Sequence, residues 1–231
     1  MTIDYRIGLL LFPNITQLDL AGPYEVFARM PRTAVHLIWK DTRPSRSEWG
    51  LELRPDMSFA ECPALDVFCV PGGPGAFELL GDDVVLDAIR SIAHRSRFVC
   101  AVCTGAFLLG AAGLLAGKRA TSHWASRELL RELGALPADG RIVVDGNLMT
   151  CGGITAGIDL TLHVAAQLVG EEQAKQIQLA MEYDPAPPFA CGHPKVAEPA
   201  IVARLSERIG PRQERRAAVV RQAAQRIGVG L

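Results

Sequence analysis

The chain has 231 residues, a length that suits a single α/β domain with some additional helix. Hydrophobic residues make up 49% of it and charged residues 21%, which is ordinary for a folded protein and excludes extensive disorder. The formal net charge is -1 and the isoelectric point is about 6.5, so overall charge gives no reason to expect binding to nucleic acid or to an anionic membrane.

The N-terminal apolar run, residues 7–12, is too short to span a bilayer and lacks the basic lead and cleavage site of a secretory signal. We therefore expect a cytoplasmic protein with reduced cysteines. Cys100 and Cys103 form a Cys-x-x-Cys pair, which leaves a redox or metal role as an alternative. No second Cys/His pair in the sequence has zinc-site spacing, so we expect no metal.

Hydrophobic patterning predicts the elements in chain order. Apolar, β-rich runs predict strands near residues 6–12, 35–40, 51–53, 66–70, 98–102, 119–121, 141–144 and 147–150. Helical periodicity predicts helices near residues 24–30, 82–96, 104–115, 124–133, 154–169, 171–182 and 201–227. The last two strands flank Asp145-Gly146, a strong hairpin signal. This alternation predicts an α/β fold with a mostly parallel sheet and helices on both faces.

The C-terminal part differs in composition from the rest. Residues 183–199 are rich in proline and predict an extended linker, and the helix after them carries many arginines. Glutamates and small apolar residues are interleaved with those arginines, which favours a solvated face or an oligomer contact over nucleic-acid binding. We therefore divide the chain into an α/β domain, residues 1–190, and a linker with a helical tail, residues 191–231.

The most informative segment is Ala101-Val-Cys103-Thr-Gly105, where a buried strand runs directly into a helix. A residue at such a junction must turn sharply and expose its side chain, as the nucleophile does in the Gly-x-Ser-x-Gly elbow. A helix N-terminus favours anions and lowers the pKa of a thiol placed there, so we expect a Cys103 thiolate at neutral pH. The alternative is that Cys103 is one more small core residue.

Two other strand ends should meet Cys103 at the carboxyl edge of the sheet. Gly72 and Gly73 follow one strand, and their backbone N–H groups could bind substrate or a developing anion; the alternative is an ordinary turn. Asp19 follows the first strand among leucines, which could keep its carboxyl group protonated for general acid–base catalysis. Asp19 could instead cap a helix near Pro23.

His123 is a second candidate for proton transfer or for orienting a thiolate. It follows a short predicted strand in Thr121-Ser-His-Trp124. The same position suits a structural histidine at the start of a helix, and the sequence favours that structural role.

The block from Ala101 to Trp124 resembles the DJ-1/PfpI superfamily, in the branch with Cys-Thr-Gly at the elbow. Within that branch, Gln17-Leu-Asp19-Leu-Ala-Gly-Pro, Gly152-Gly-Ile154-Thr-Ala-Gly-Ile-Asp and Glu182-Tyr-Asp-Pro-Ala-Pro-Pro resemble the isocyanide hydratases. The resemblance runs over nearly the whole chain. It implies a flavodoxin-like sandwich that forms a homodimer.

The resemblance also implies roles for single residues. The nucleophile position falls on Cys103, the acid–base position on Asp19, and a residue that positions the nucleophile on Thr104. Ile154 falls at the start of a helix that packs near the nucleophile. Cys151 stands where glycine is expected, which puts the flexibility of that junction in doubt. The implied reaction is the hydration of an isocyanide to an N-substituted formamide without a cofactor.

Two other functions remain open at this stage. The same cysteine block occurs in sensor domains of AraC-type regulators, although too few residues follow Pro188 for paired helix-turn-helix units. A binding module of this kind would bind its ligand without needing Cys103. A DJ-1-like glyoxalase or stress protein shares the elbow and would act on 2-oxoaldehydes.

Overall fold

The computed structural model describes residues 3–228. The predicted α/β domain starts at residue 1 and the predicted linker and tail end at residue 231, and both of these positions lie outside the described residues. Residues 183–198 form neither helix nor strand, in agreement with the predicted linker. Across residues 3–228, every helix is too short or too polar to cross a membrane.

The strands and helices alternate along the chain. The strands are β1 (Tyr5–Leu10), β2 (Thr33–Trp39), β3 (Ser45–Arg46), β4 (Glu52–Leu53), β5 (Met57–Ser58), β6 (Leu65–Val70), β7 (Ser96–Val102), β8 (Arg119–Ala120), β9 (Leu136–Pro137), β10 (Ile142–Asp145) and β11 (Leu148–Cys151). The helices are α1 (Gln17–Ala28), α2 (Pro74–Glu78), α3 (Asp83–His94), α4 (Gly105–Ala111), α5 (Ala156–Val169), α6 (Glu171–Ala180) and α7 (Pro199–Arg226). A 3-10 helix covers Arg127–Leu133.

Within the described residues, the main sheet has seven strands in the order β10-β11-β7-β6-β1-β2-β5. Its neighbouring strands are parallel except for β10 and β11, which form the predicted antiparallel hairpin. Numbered in chain order, the five strands β1, β2, β6, β7 and β11 follow the flavodoxin-like order 2-1-3-4-5. The predicted flavodoxin-like sandwich is confirmed.

The helices pack in two groups. α5 contacts both α1 and α6, whereas α2, α3, α4 and α7 form a second group with the 3-10 helix. The chain moves one way across the sheet from β1 to β2 and the other way from β6 to β7. Since parallel crossovers share one handedness, these connections lie on opposite faces. The direction changes between β1 and β6, where open α/β sheets bind their ligands.

Several elements differ between the sequence prediction and the structure, and the short strands β3, β5 and β9 were not predicted. α1 begins at Gln17 and contains Pro23, so that proline does not open the helix. α2 was missed, because proline and glycines at residues 71–75 favour a turn while Pro74 also suits the first turn of a helix. The predicted helix near residues 124–133 is a shorter 3-10 helix.

The core beside the elbow requires a glycine at position 105. Helix α4 starts so close to the end of β6 that a Cβ atom on Gly105 would lie 2.0 Å from the carbonyl oxygen of Val70 and 2.6 Å from that of Pro71. These are backbone atoms, so the clash could be relieved only by moving the strand or the helix. Glycine at position 105 is therefore what lets α4 start against the end of β6.

We expect Gly105→Ala to lower the free energy of unfolding by about 2–3 kcal/mol, because the added methyl group overpacks this contact. Urea denaturation measures the change. Gly210→Ala is the matched control, since its Cβ would meet nothing within 4 Å in α7. That variant should be neutral or gain roughly 0.5–1 kcal/mol. Equal stability of Gly105→Ala and the wild type would contradict the proposed constraint.

Candidate active site at the Cys103 elbow

Cys103 lies between β7 and α4, and its backbone is in the left-handed region with φ of 54°. A non-glycine residue is strained in this conformation unless its surroundings hold it there. The Cys103 N–H donates to the carbonyl oxygens of Cys151 and Gly152, each at 3.2 Å. The Cys103 carbonyl oxygen accepts a 2.7 Å hydrogen bond from the buried Ser122 hydroxyl. The sharp turn predicted at Cys103 is present, but the predicted exposure of its side chain is wrong: Cys103 is only 6% exposed, because the elbow is covered by neighbouring elements.

Asp19 is in the first turn of α1, and its side chain is fully buried beside the elbow. Oδ2 accepts a 3.0 Å hydrogen bond from the N–H of Gly72, whereas Oδ1 has no hydrogen-bond partner within residues 3–228. Burial raises the pKa of Asp19 to about 7, although the Gly72 amide and a weak interaction with the Cys103 thiol oppose this. The carboxyl group therefore bonds the backbone just after β6 rather than capping a helix at Pro23.

Burial raises the pKa of the Cys103 thiol well above its ordinary value, and the nearby Asp19 carboxylate raises it further. The backbone N–H groups of Thr104 and Ile154 donate to the sulfur and lower the pKa of Cys103, but they do not outweigh burial. Burial thus works against the thiolate that the helix start is predicted to supply at neutral pH, and a neighbouring base would offset this effect.

Asp19 can be that base, because the two groups form a coupled pair. Asp19 releases its proton at a lower pH than Cys103, so between their pKa values the pair holds one proton, on the sulfur. A carboxylate in this position can take the thiol proton when the sulfur attacks an electrophile and can return it later.

Gly72 and Gly73 follow β6 and lie beside the elbow. The N–H of Gly72 donates to Asp19, and the N–H of Gly73 donates to Thr104 Oγ1 at 2.9 Å. A Cβ atom on Gly72 would lie 2.6 Å from the Thr104 nitrogen and 2.8 Å from Asp19 Oδ2. Both amides therefore hold site residues in this structure, and their donation to a substrate stays a prediction.

Ile154 and Cys151 flank the elbow on the side of β11. Ile154 lies two residues before the first residue of α5, has a φ of 24°, and donates its N–H to the Cys103 sulfur. Cys151 is the buried last residue of β11, and its carbonyl oxygen accepts from the Cys103 N–H. Cys151 does not have a positive φ, so a side chain fits where glycine was expected.

The described contacts of His123 are with its own segment and with the glycine before Ile154. Its ring packs against Gly153, where an added Cβ would lie 2.5 Å away, and its Nδ1 accepts from the N–H of Ala125 at 3.3 Å. Burial and the positive charges of Arg216 and Arg212 lower the pKa of His123 to about 4, so the ring is neutral at physiological pH. Among the described contacts, none joins this ring to Cys103.

Sequence reasoning missed two residues that contact the site region. Ser122 lies in the motif that drew attention to His123, and nothing in the sequence distinguishes its hydroxyl. Arg216 of α7 stacks on Phe77, with its Cζ atom 4.4 Å from the ring centre. Burial and Arg212 lower the pKa of Arg216 to about 10, while the charge of Cys103 acts in the opposite direction. This part of the basic tail therefore packs beside the site and is not a freely solvated face.

A cavity of about 530 Å³ borders the site. Ser122, His123, Trp124, Gly153 and Ile154 are among its lining residues. Among the described residues, neither Cys103 nor Asp19 lines it. In residues 3–228, no three His, Cys, Asp or Glu side chains are grouped so that they could hold a metal ion.

A flavodoxin-like sheet with a strained cysteine at a strand–helix elbow, beside a buried carboxylic acid, defines a class of cysteine-dependent α/β proteins. The model of the DJ-1/PfpI family matches residues 5–167, and the chain belongs to this family.

Two relatives with different named functions are similar to this chain. The chain is 51% identical over 224 residues to the isonitrile hydratase of Pseudomonas putida, covering 97% of this chain and 98% of the relative. It is 30% identical over 185 residues to the HTH-type transcriptional regulator GbdR of Pseudomonas aeruginosa, covering 76% of this chain and 48% of that protein.

Solved structures support the same fold. A THiJ/PfpI family protein from Pseudomonas syringae superimposes with a TM-score of 0.92 at 35% identity, covering 95% of this chain and 91% of that one. Drosophila melanogaster DJ-1beta superimposes with a TM-score of 0.68 at 23% identity, covering 79% and 98%. The second similarity concerns the fold alone.

We expect Asp19→Asn to become more stable relative to the wild type as pH rises from about 4 to 8. The pKa of Asp19 is about 7 in the folded state, against an ordinary value of 3.8. Ionisation of Asp19 therefore begins to destabilise the folded wild type above pH 3.8, and this destabilisation is complete above about pH 7. The gain should be on the order of 3 kcal/mol. Urea denaturation across this range measures it, with the exposed Asp87→Asn as baseline. A stability difference independent of pH would contradict the raised pKa.

Proposed function

We propose that the chain is an isonitrile hydratase, which converts an isocyanide and water to an N-substituted formamide. The observation that carries the proposal is the 51% identity to the Pseudomonas putida isonitrile hydratase along almost the full length of both chains. The coupled Cys103–Asp19 pair supports it, because the reaction needs a nucleophile for carbon and a group that moves protons.

The first half of the reaction forms a covalent intermediate. Asp19 takes the proton of the Cys103 thiol as the sulfur attacks the terminal carbon of R–N≡C, so that an S–C bond forms. The same carbon then receives the proton from Asp19, which gives the thioimidate R–N=CH–S–Cys103. The N–H groups of Thr104 and Ile154 stabilise the negative charge on the sulfur before it attacks.

The second half returns the enzyme to its starting state. Water adds to the thioimidate carbon while Asp19 passes one of its protons to the nitrogen, which gives R–NH–CH(OH)–S–Cys103. Asp19 then takes the hydroxyl proton as the C–S bond breaks, and R–NH–CHO leaves. The sulfur recovers the proton from Asp19. The sum is one isocyanide and one water consumed for each formamide, with no external cofactor.

Gly72 and Gly73 contribute by holding the other groups in place. The Gly72 amide binds Asp19 Oδ2, and the Gly73 amide binds the hydroxyl of Thr104, whose backbone N–H donates to the sulfur. Direct donation from either glycine to the substrate would require that amide to exchange its protein acceptor for a substrate atom. We further propose that the enzyme acts in the cytoplasm as a homodimer.

Wild-type protein should convert an aryl isocyanide to its N-formamide, followed by ultraviolet absorbance and identified by mass spectrometry. Cys103→Ala should lose roughly 10³-fold or more of kcat, and Asp19→Asn roughly 10²- to 10⁴-fold. Activity of the wild type should rise as pH increases through about 7, because the Asp19 carboxylate that accepts the thiol proton then forms.

Cys191→Ser is the matched control, since this half-exposed cysteine lies in the irregular segment between α6 and α7. It should retain wild-type turnover. Folded wild-type protein that does not consume aryl or alkyl isocyanides would rule out the hydratase. Turnover of methylglyoxal would then favour the glyoxalase. Ligand binding that survives Cys103→Ala would favour a sensor.

A further inference from the structure

The peptide group between Cys103 and Thr104 is hydrogen-bonded at both ends. Its carbonyl oxygen, that of Cys103, accepts a 2.7 Å hydrogen bond from Ser122 Oγ. Its N–H, that of Thr104, donates to the Cys103 sulfur. One buried hydroxyl is therefore connected to the reactive sulfur through a single amide group.

The two hydrogen bonds reinforce each other. A donor on an amide oxygen draws electron density from the nitrogen and makes the N–H a stronger donor, and the effect is larger where the local dielectric constant is low. Ser122 is 2% exposed and Cys103 is 6% exposed, so water competes little at either end. The Ser122 bond should therefore strengthen the Thr104 N–H as a donor to the sulfur.

The position of Ser122 is fixed by the chain on its N-terminal side. The N–H of Thr121 donates to Thr150 Oγ1 at 2.8 Å, and the side chains of Thr121, Ser122 and Thr150 are all buried. Thr150 lies in β11, which pairs with β7 next to the elbow. The backbone just before Ser122 is thus hydrogen-bonded to the same sheet that carries Cys103.

We propose that Ser122 is a positioning residue for the nucleophile: its hydroxyl fixes and polarises the Cys103–Thr104 peptide group, so that the Thr104 N–H is held on the sulfur. This hydrogen bond also keeps Cys103 in its left-handed conformation. It holds the Cys103 carbonyl oxygen, and the Cys103 N–H is already hydrogen-bonded to the carbonyl oxygens of Cys151 and Gly152. The inference requires only that Cys103 is the nucleophile, whatever its substrate.

The test compares the pH dependence of Cys103 alkylation by iodoacetamide in the wild type and in Ser122→Ala. A Cys103→Ser background gives the contribution of the other thiols. Thiolate absorbance in the ultraviolet provides a second readout. Ser96→Ala is the matched control, since the half-buried Ser96 hydroxyl also donates to a backbone carbonyl, that of Ile92 at 2.8 Å, but lies at the opposite end of β7 from Cys103.

Ser122→Ala should alkylate about three- to tenfold more slowly near neutral pH, with its profile moved to higher pH, because a tenfold change in thiolate fraction corresponds to one pH unit. Ser122→Thr should restore the wild-type profile, and Ser96→Ala should leave it unchanged. The pair Ser122→Thr and Ser122→Val differs only in the hydroxyl, so it decides the question if Ser122→Ala does not fold.

A folded Ser122→Ala or Ser122→Val variant with the wild-type profile would overturn the proposal, even if its melting temperature fell. An equal change in Ser96→Ala would overturn it as well, since the effect would then be general to the loss of a hydroxyl–carbonyl hydrogen bond. The measurement uses no isocyanide. Loss of the hydratase assignment would therefore leave the result for Ser122 standing.

Discussion

The site depends on one strained residue that is held from several sides. Cys103 has a left-handed backbone because β7 passes into α4 without a loop, and Gly105 lets the helix start against the end of β6. Its N–H and its carbonyl oxygen both have protein partners, so the strain is opposed by hydrogen bonds within the fold. Moving any of these partners would move the sulfur.

The electrostatics of the site follow from burial more than from the helix start. α4 is short, and the two backbone donors on the sulfur cannot compensate for the loss of water around it. The same burial keeps the proton affinity of Asp19 high enough for exchange near neutral pH. The fold thus places an acid and a thiol of unequal proton affinity together, and it supplies few other groups to stabilise a charge on either.

Much of this could be predicted from the sequence. Cys103 and Asp19 were identifiable because each follows a strand whose apolar run is plain, and parallel strands end at one edge of the sheet. The start of α1 could not be identified from the sequence, because Pro23 is compatible with either the first turn or the interior of that helix. The direction of the Cys103 pKa and the partners of Gly72 and Gly73 depend on contacts between residues far apart in the chain, which no local pattern records.

The separation of these parts along the chain affects how the site forms. Asp19, Gly72, Cys103 and Ile154 come from four connections of one sheet, and α7 packs beside them only after the whole domain has been made. Contacts this far apart in sequence form slowly. Until β11 pairs with β7, the Cys103 N–H cannot bond the carbonyl oxygens of Cys151 and Gly152 that hold it in the folded structure. Its reactivity belongs to the finished fold, and the newly made chain is no more prone to modification there than at its other cysteines.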